Sequence, residues 1–211
     1  MTWLWTILWA ALAGPGASTS ASAAAHIDHS ALERELDTIV SEHIAGTGVP
    51  GVMVTVTSGS RIIVERGWGL ADLDSGRPMD PSTTLVRIAS LSKTFTATAV
   101  AQLEDAGRIE LDADIDTYLQ RVKTAGPFAV AVTLRHLLAH TSGFINFNSG
   151  RVSRQPLHPE DFESFMARTM PPRVYPPGTA TLYSNHGNAL AGLVVQDVAR
   201  IPFAQYVADN I

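Results

Sequence analysis

Val86-Arg87-Ile88-Ala89-Ser90-Leu91-Ser92-Lys93-Thr94-Phe95-Thr96-Ala97 is the stretch around which the rest of this chain is read. An apolar, strand-like lead-in from Leu85 to Ala89 gives way to a helical pattern running to Leu103. With a helix starting at Ser90, residues three apart lie on one face, so the Ser90 hydroxyl and the Lys93 amine can meet. A helix N-terminus also favours negative charge developing on the serine oxygen and disfavours an ammonium, so a shielded Lys93 is expected to have a lowered pKa and to act as a base. The plain alternative is a Ser90 or Ser92 helix cap beside a solvated lysine. Lys93 and Lys123 are the two lysines of the chain, against thirteen arginines, which makes a chance pairing of Ser90 with a lysine less common.

The 211 residues suffice for one medium domain or two small ones. A net charge of −5 with scattered arginines argues against a nucleic-acid partner. The absence of cysteine excludes disulfides, thiol catalysis and thiolate-bound zinc.

Outward from Ser90 towards the N-terminus, Pro78 and Pro81 lead back to Gly67-Trp68-Gly69-Leu70-Ala71-Asp72. Before it stand two β-rich runs, Val52 to Thr57 and Arg61 to Arg66, joined by a Ser58-Gly59-Ser60 turn, which reads as an antiparallel hairpin. A lone hairpin is marginal in water, so it is expected to join a sheet or pack on a helix. That helix is supplied by Leu32, Leu36, Ile39, Val40 and Ile44 at helical spacing, opened by a Ser30-to-Glu33 capping box and stopped by Gly46 and Gly48. Residues 1–25 read as a signal peptide: an apolar run from Trp3 to Ala13, too short to span a bilayer, then A-x-A cleavage sites at Ala21 to Ala25. The usual positive charge is missing before Arg34. Export to a periplasmic or extracellular location is the consequence.

Towards the C-terminus, the Leu111-to-Asp116 carboxylates resemble a calcium loop but lack its glycine and its closing glutamate, so capping and solvation explain them better. A short helix is expected from Val132 to His140. His136 and His140 would share its face at the spacing of a zinc pair, yet Leu137 stands where a zinc protease has its glutamate, so structural histidines are the better reading. Pro159 to Met170 should be helical, the proline-rich 171–178 a connection, and Asn188 onward a long apolar helix followed by another from Phe203.

Three motifs in order carry a family resemblance. The Ser90 stretch resembles the first motif of the serine β-lactamase-related family, which includes class C β-lactamases, D-alanyl-D-alanine carboxypeptidases and esterases. Leu137-Leu138-Ala139-His140-Thr141-Ser142-Gly143 resembles its L-L-x-H-T-S-G segment, and Tyr183-Ser184-Asn185, led in by Pro177-Gly178-Thr179, its Y-x-N motif. The resemblance implies an α/β fold of the β-lactamase and penicillin-binding-protein type: an antiparallel sheet flanked by helices, plus a helical domain. Residues 26–211 would be the N-terminal part of that domain, with the first helix and hairpin in 26–89 and the mostly helical part in 90–211.

It implies a serine hydrolase, with Ser90 the acylated nucleophile and Lys93 helping to deprotonate it. Tyr183 would be a partner base or proton shuttle, and Asn185 would bind the substrate amide or orient Lys93. The substrate would be a small molecule or peptide with an amide, β-lactam or ester bond, and no metal or cofactor is implied. Ser142 and Ser184 are the next nucleophile candidates. Arg200 stands where the family usually has glycine, and Asn188 where it often has tyrosine. The family's third motif falls beyond Ile211, so the chain itself is expected to be inactive, with a non-hydrolysing peptidoglycan- or β-lactam-binding protein or an inactive fragment as the alternatives.

Overall fold

The computed structural model of the chain describes residues 28–124, 126–146 and 161–211. The signal peptide read over residues 1–25 and most of the polar segment after Ile145 lie outside them. The chain divides into two compact units, one ending at Val86 and the other spanning Arg87–Ile211.

In the first unit, helix α1 (His29–Thr47) is capped by Asp28, whose carboxylate accepts the Ala31 N–H at 3.0 Å. The cap therefore lies two residues before the predicted Ser30: the Asp28 carboxylate accepts a free N–H of the first turn, and Ser30 falls inside the helix. Gly48 closes the helix in the left-handed region (φ 70°). Strands β1 (Gly51–Ser58) and β2 (Arg61–Asp72) form the antiparallel hairpin, pairing Val56 with Val64 and Val52 with Trp68. The sheet has a third strand that sequence reading missed. β3 (Arg77–Pro78) pairs with the far end of β2, making β2 the central strand. Two residues carry too little periodicity to be seen as a strand. Helix α1 is tied to β2 through Asp37, which accepts the Trp68 indole N–H at 2.7 Å and pairs with Arg66 at 2.9 Å.

The second unit is helical. Leu85 to Ile88 is not a strand; the chain there is irregular and enters a 3₁₀ turn, Ala89–Leu91, before α2 (Ser92–Asp105). A second 3₁₀ turn, Ile115–Thr117, is opened by Asp114, and the Asp116 carboxylate accepts the Thr124 N–H at 2.9 Å, so these carboxylates serve local backbone groups. Helix α3 is shorter than predicted, Leu134–Leu138, and α4 spans Asp161–Arg168. Helix α5 (Asn185–Ala199) starts three residues earlier than its apolar pattern suggested, because Ser184 caps it. Helix α6 is Phe203–Asn210.

Helix α5 is the spine of this unit, packing on α2, α3, α4 and α6. Leu190, Ala191, Leu193, Val194 and Val195 are fully buried, so apolar residues cover most of its circumference, as a central helix requires. Val100, Leu134, Leu137, Phe144 and Met166 complete the core around it. Arg200 occupies the left-handed end position of α5 (φ 61°), the place where glycine is least strained. Asn188 donates to the Thr96 hydroxyl at 3.2 Å and thereby ties α5 to α2. None of the described helices is long and apolar enough to cross a membrane.

Candidate active site

Two motifs 40 residues apart in sequence are held together by backbone. The carbonyls of His140, Thr141 and Gly143 accept N–H bonds from Leu182 (2.7 Å), Gly178 (2.8 Å) and Val174 (2.9 Å). Gly143 is obligatory in this suture: its φ is 81°, and a Cβ there would collide with the Tyr175 carbonyl. The suture presents Tyr183 at a fixed place, and Ser184 then starts α5 by accepting the Gly187 N–H at 3.0 Å. Asn185 is thereby the first residue of α5, and α5 packs on α2, which carries Lys93 in its first turn.

The four residues named from sequence meet. Ser90 Oγ is 2.7 Å from Tyr183 Oη, and Lys93 Nζ donates to Ser90 Oγ at 3.1 Å. Asn185 Oδ1 accepts from Lys93 Nζ at 2.7 Å, and Nζ also stands 4.9 Å over the Tyr183 ring. Ser90 is exposed, Tyr183 is 44% exposed, and Lys93 and Asn185 are half-buried, so a substrate can reach the hydroxyl while the lysine is sheltered behind it. Ser90 lies in the 3₁₀ turn rather than in the α-helix, yet it still reaches Lys93 three residues on, because a 3₁₀ turn eclipses residues i and i+3. Just before it, Ala89 has φ 47°, a left-handed conformation that a non-glycine residue adopts at a cost of about 1–2 kcal/mol. The chain thus turns sharply at the serine.

Chemically, the arrangement offers a hydroxyl flanked by two groups that can exchange its proton. A carbonyl approaching Ser90 would meet an oxygen whose proton can pass to Tyr183 Oη or Lys93 Nζ and return to a leaving group. The reserve serines do not share this position. Ser184 is fully buried and occupied as the α5 cap, and Ser142 is 1% exposed.

Sequence reading treated His136 and His140 as a structural pair on one helix face. The structure separates them. His136 lies within α3, where its Nδ1 accepts the Thr133 N–H at 3.3 Å and completes a capping box. His140 lies past the helix end at φ 57°, with its ring centroid 4.4 Å from that of Tyr183 and its Nδ1 accepting the Ser184 N–H at 3.3 Å. Burial, and then the nearby Lys93 charge, push its pKa below the usual histidine value. Sequence reading missed this neighbour of the site, although its motif was in view, because helical spacing says nothing of a residue that has left the helix.

The family model described as "Beta-lactamase" matches residues 36–211. Protein flp of Staphylococcus aureus (strain MW2) is 25% identical over 182 residues, which are 84% of this chain and 36% of that protein. Esterase EstB of Burkholderia gladioli is 35% identical over 119 residues, 56% of this chain and 30% of the esterase. The octameric penicillin-binding protein homologue from Pyrococcus abyssi superposes with a TM-score of 0.73 at 25% identity, covering 85% of this chain and 42% of that one. The chain therefore spans well under half the length of these proteins.

Proposed function

Because the chain belongs to the Beta-lactamase family, we propose that it is the nucleophile-bearing part of a serine hydrolase that forms an acyl-enzyme at Ser90. The observation that carries the reading is the placement of Ser90 Oγ within hydrogen-bond reach of both Tyr183 Oη and Lys93 Nζ, with Lys93 itself held by Asn185.

In the acylation step Oγ attacks the carbonyl carbon of an amide, β-lactam or ester. The hydroxyl proton passes to the Lys93–Tyr183 pair and from there to the leaving nitrogen or oxygen as the carbonyl–leaving-group bond breaks. In the second step water attacks the carbonyl carbon of the Ser90 ester and the pair takes its proton; the bond to Oγ then breaks, the acyl group leaves as the carboxylic acid, and the pair returns the proton to Ser90. Asn185 acts here by orienting the amine, since its Oδ1 is engaged with Nζ. The match to an esterase supports ester substrates. The apolar run from Trp3 to Ala13 and the A-x-A sites support export, which N-terminal sequencing of secreted protein would check against a retained Met1.

The test of the catalytic reading is covalent labelling. A fluorescent penicillin or a fluorophosphonate should modify the wild type, mass spectrometry should find the adduct on the peptide holding Ser90, and Ser90→Ala should take up none. An adduct on another serine, or labelling that survives Ser90→Ala, overturns the assignment.

A further inference from the structure

The residues that surround Tyr183 point to a device that the reading above does not use. The segment 182–184 is gripped on both sides by one residue, His140. Its carbonyl accepts the Leu182 N–H at 2.7 Å, its Nδ1 accepts the Ser184 N–H at 3.3 Å, and its ring lies against the tyrosine between them at 4.4 Å, tilted by 41°. His140 makes these contacts only because its backbone is left-handed, which turns its side chain back from the end of α3 towards the segment that carries Tyr183.

We propose that His140 is a positioning residue that holds Tyr183 on Ser90 only while its imidazole is neutral and in the Nε2–H tautomer. This deepens the proposed catalytic reading and rests on it for its consequence in rate. The logic is that of a single lone pair. Nδ1 accepts a backbone N–H, so in the neutral ring the proton must sit on Nε2. Protonating Nδ1 would set a donor against the Ser184 donor and place a second cation beside Lys93.

Among the described residues, the titratable groups facing the ring are Lys93 from α2 and Tyr183 from the segment before α5. His136, on its own element, is turned to the Thr133 N–H. Burial and the Lys93 charge both oppose protonation, so the ring stays neutral at neutral pH and the grip loosens only in acid. The backbone half of the grip, through the His140 carbonyl, does not titrate, so acid releases Tyr183 without undoing the suture.

Two variants separate this from a merely structural role. Asn tolerates the left-handed region and places an oxygen where Nδ1 stands, but cannot be protonated; Leu has neither property. In nitrogen-15 NMR of the wild type at pH 7.5, His140 should show an unprotonated Nδ1 and a protonated Nε2. Its inflection should lie below 6.5 and rise in Lys93→Met, which removes a neighbouring charge. An Nδ1–H tautomer would overturn the proposal, whether or not the protein labels.

For the rate, His140→Leu should slow labelling at Ser90 by about 10- to 100-fold at pH 7.5, and His140→Asn should recover most of that loss. The wild-type acid limb should contain an inflection matching that of His140 by NMR, and that inflection should be missing in His140→Asn. A His140→Leu protein that labels at the wild-type rate with the wild-type pH profile overturns it too. Failure of the wild type to label would instead strike the catalytic reading, and the tautomer would still decide the grip.

Discussion

His186 should make the helical unit acid-labile, and the size of the effect can be worked from its surroundings. It is the second residue of α5 and 7% exposed, and its Nε2 lies 3.2 Å from the Met170 sulfur, a weak partner with no charge to stabilise an imidazolium. Burial lowers its pKa from 6.5 to about 4. Between these values the unfolded chain binds a proton that the folded chain does not. Stability is therefore whole above pH 6.5 and is lost as pH falls towards 4.

The difference between 6.5 and about 4 would be worth about 3.4 kcal/mol at most, and solvent screening brings the expectation to about 1–2 kcal/mol. The assay is urea unfolding of wild type and His186→Gln between pH 7.5 and 4.5. It is followed by circular dichroism at 222 nm, because the four tryptophans, at positions 3, 5, 9 and 68, all precede the helical unit. Wild type should lose about 1–2 kcal/mol more than the variant across this range. His140, also lowered, and Asp197, whose carboxyl is raised by burial and so contributes with the opposite sign, are common to both proteins and cancel in the difference. Parallel pH curves, or a His186 NMR inflection near 6.5, would refute the reasoning.

Lys93→Arg should slow labelling of Ser90 by about 10²-fold or more, because a guanidinium cannot give up its proton near neutrality; if it labels normally while Tyr183→Phe does not, the tyrosine is the essential base. Arg200→Gly should raise stability by about 0.5–1 kcal/mol, relief of left-handed strain exceeding the added chain entropy, and calorimetry should show a gain of about 1–3 °C. Asp37→Ala should cost the first unit about 1 kcal/mol, nearly all from the lost Trp68 hydrogen bond, since the exposed Arg66 pair contributes little. Denaturant unfolding read by Trp68 fluorescence, in protein whose other three tryptophans are phenylalanine, measures it.

Much of this molecule follows from local chemistry. The hairpin was legible because alternating β-branched residues flank a Ser-Gly-Ser turn, and α1, α2, α5 and α6 because their apolar residues recur at helical spacing. Where such local signals compete or are brief, reading failed. Asp28 took the cap assigned to Ser30, Leu85 to Ile88 proved irregular despite apolar side chains, and β3 was too short to announce itself.

The site divides along the same line. Ser90 and Lys93 were legible as a pair because three residues of local backbone set their distance, and a 3₁₀ turn serves as well as an α-helix. Sequence motif could name Tyr183 and Asn185, but no local rule brings residues 183 and 185 to residues 90 and 93. That meeting depends on α5 packing against α2 and on the backbone suture from His140 to Gly143, both long-range products of the buried core. His140 shows the limit most plainly. Sequence by itself determined that a histidine stands at the end of a short helix. Only the tertiary structure decided that its left-handed backbone turns the ring onto Tyr183, because that direction depends on what the 182–184 segment offers it to bind.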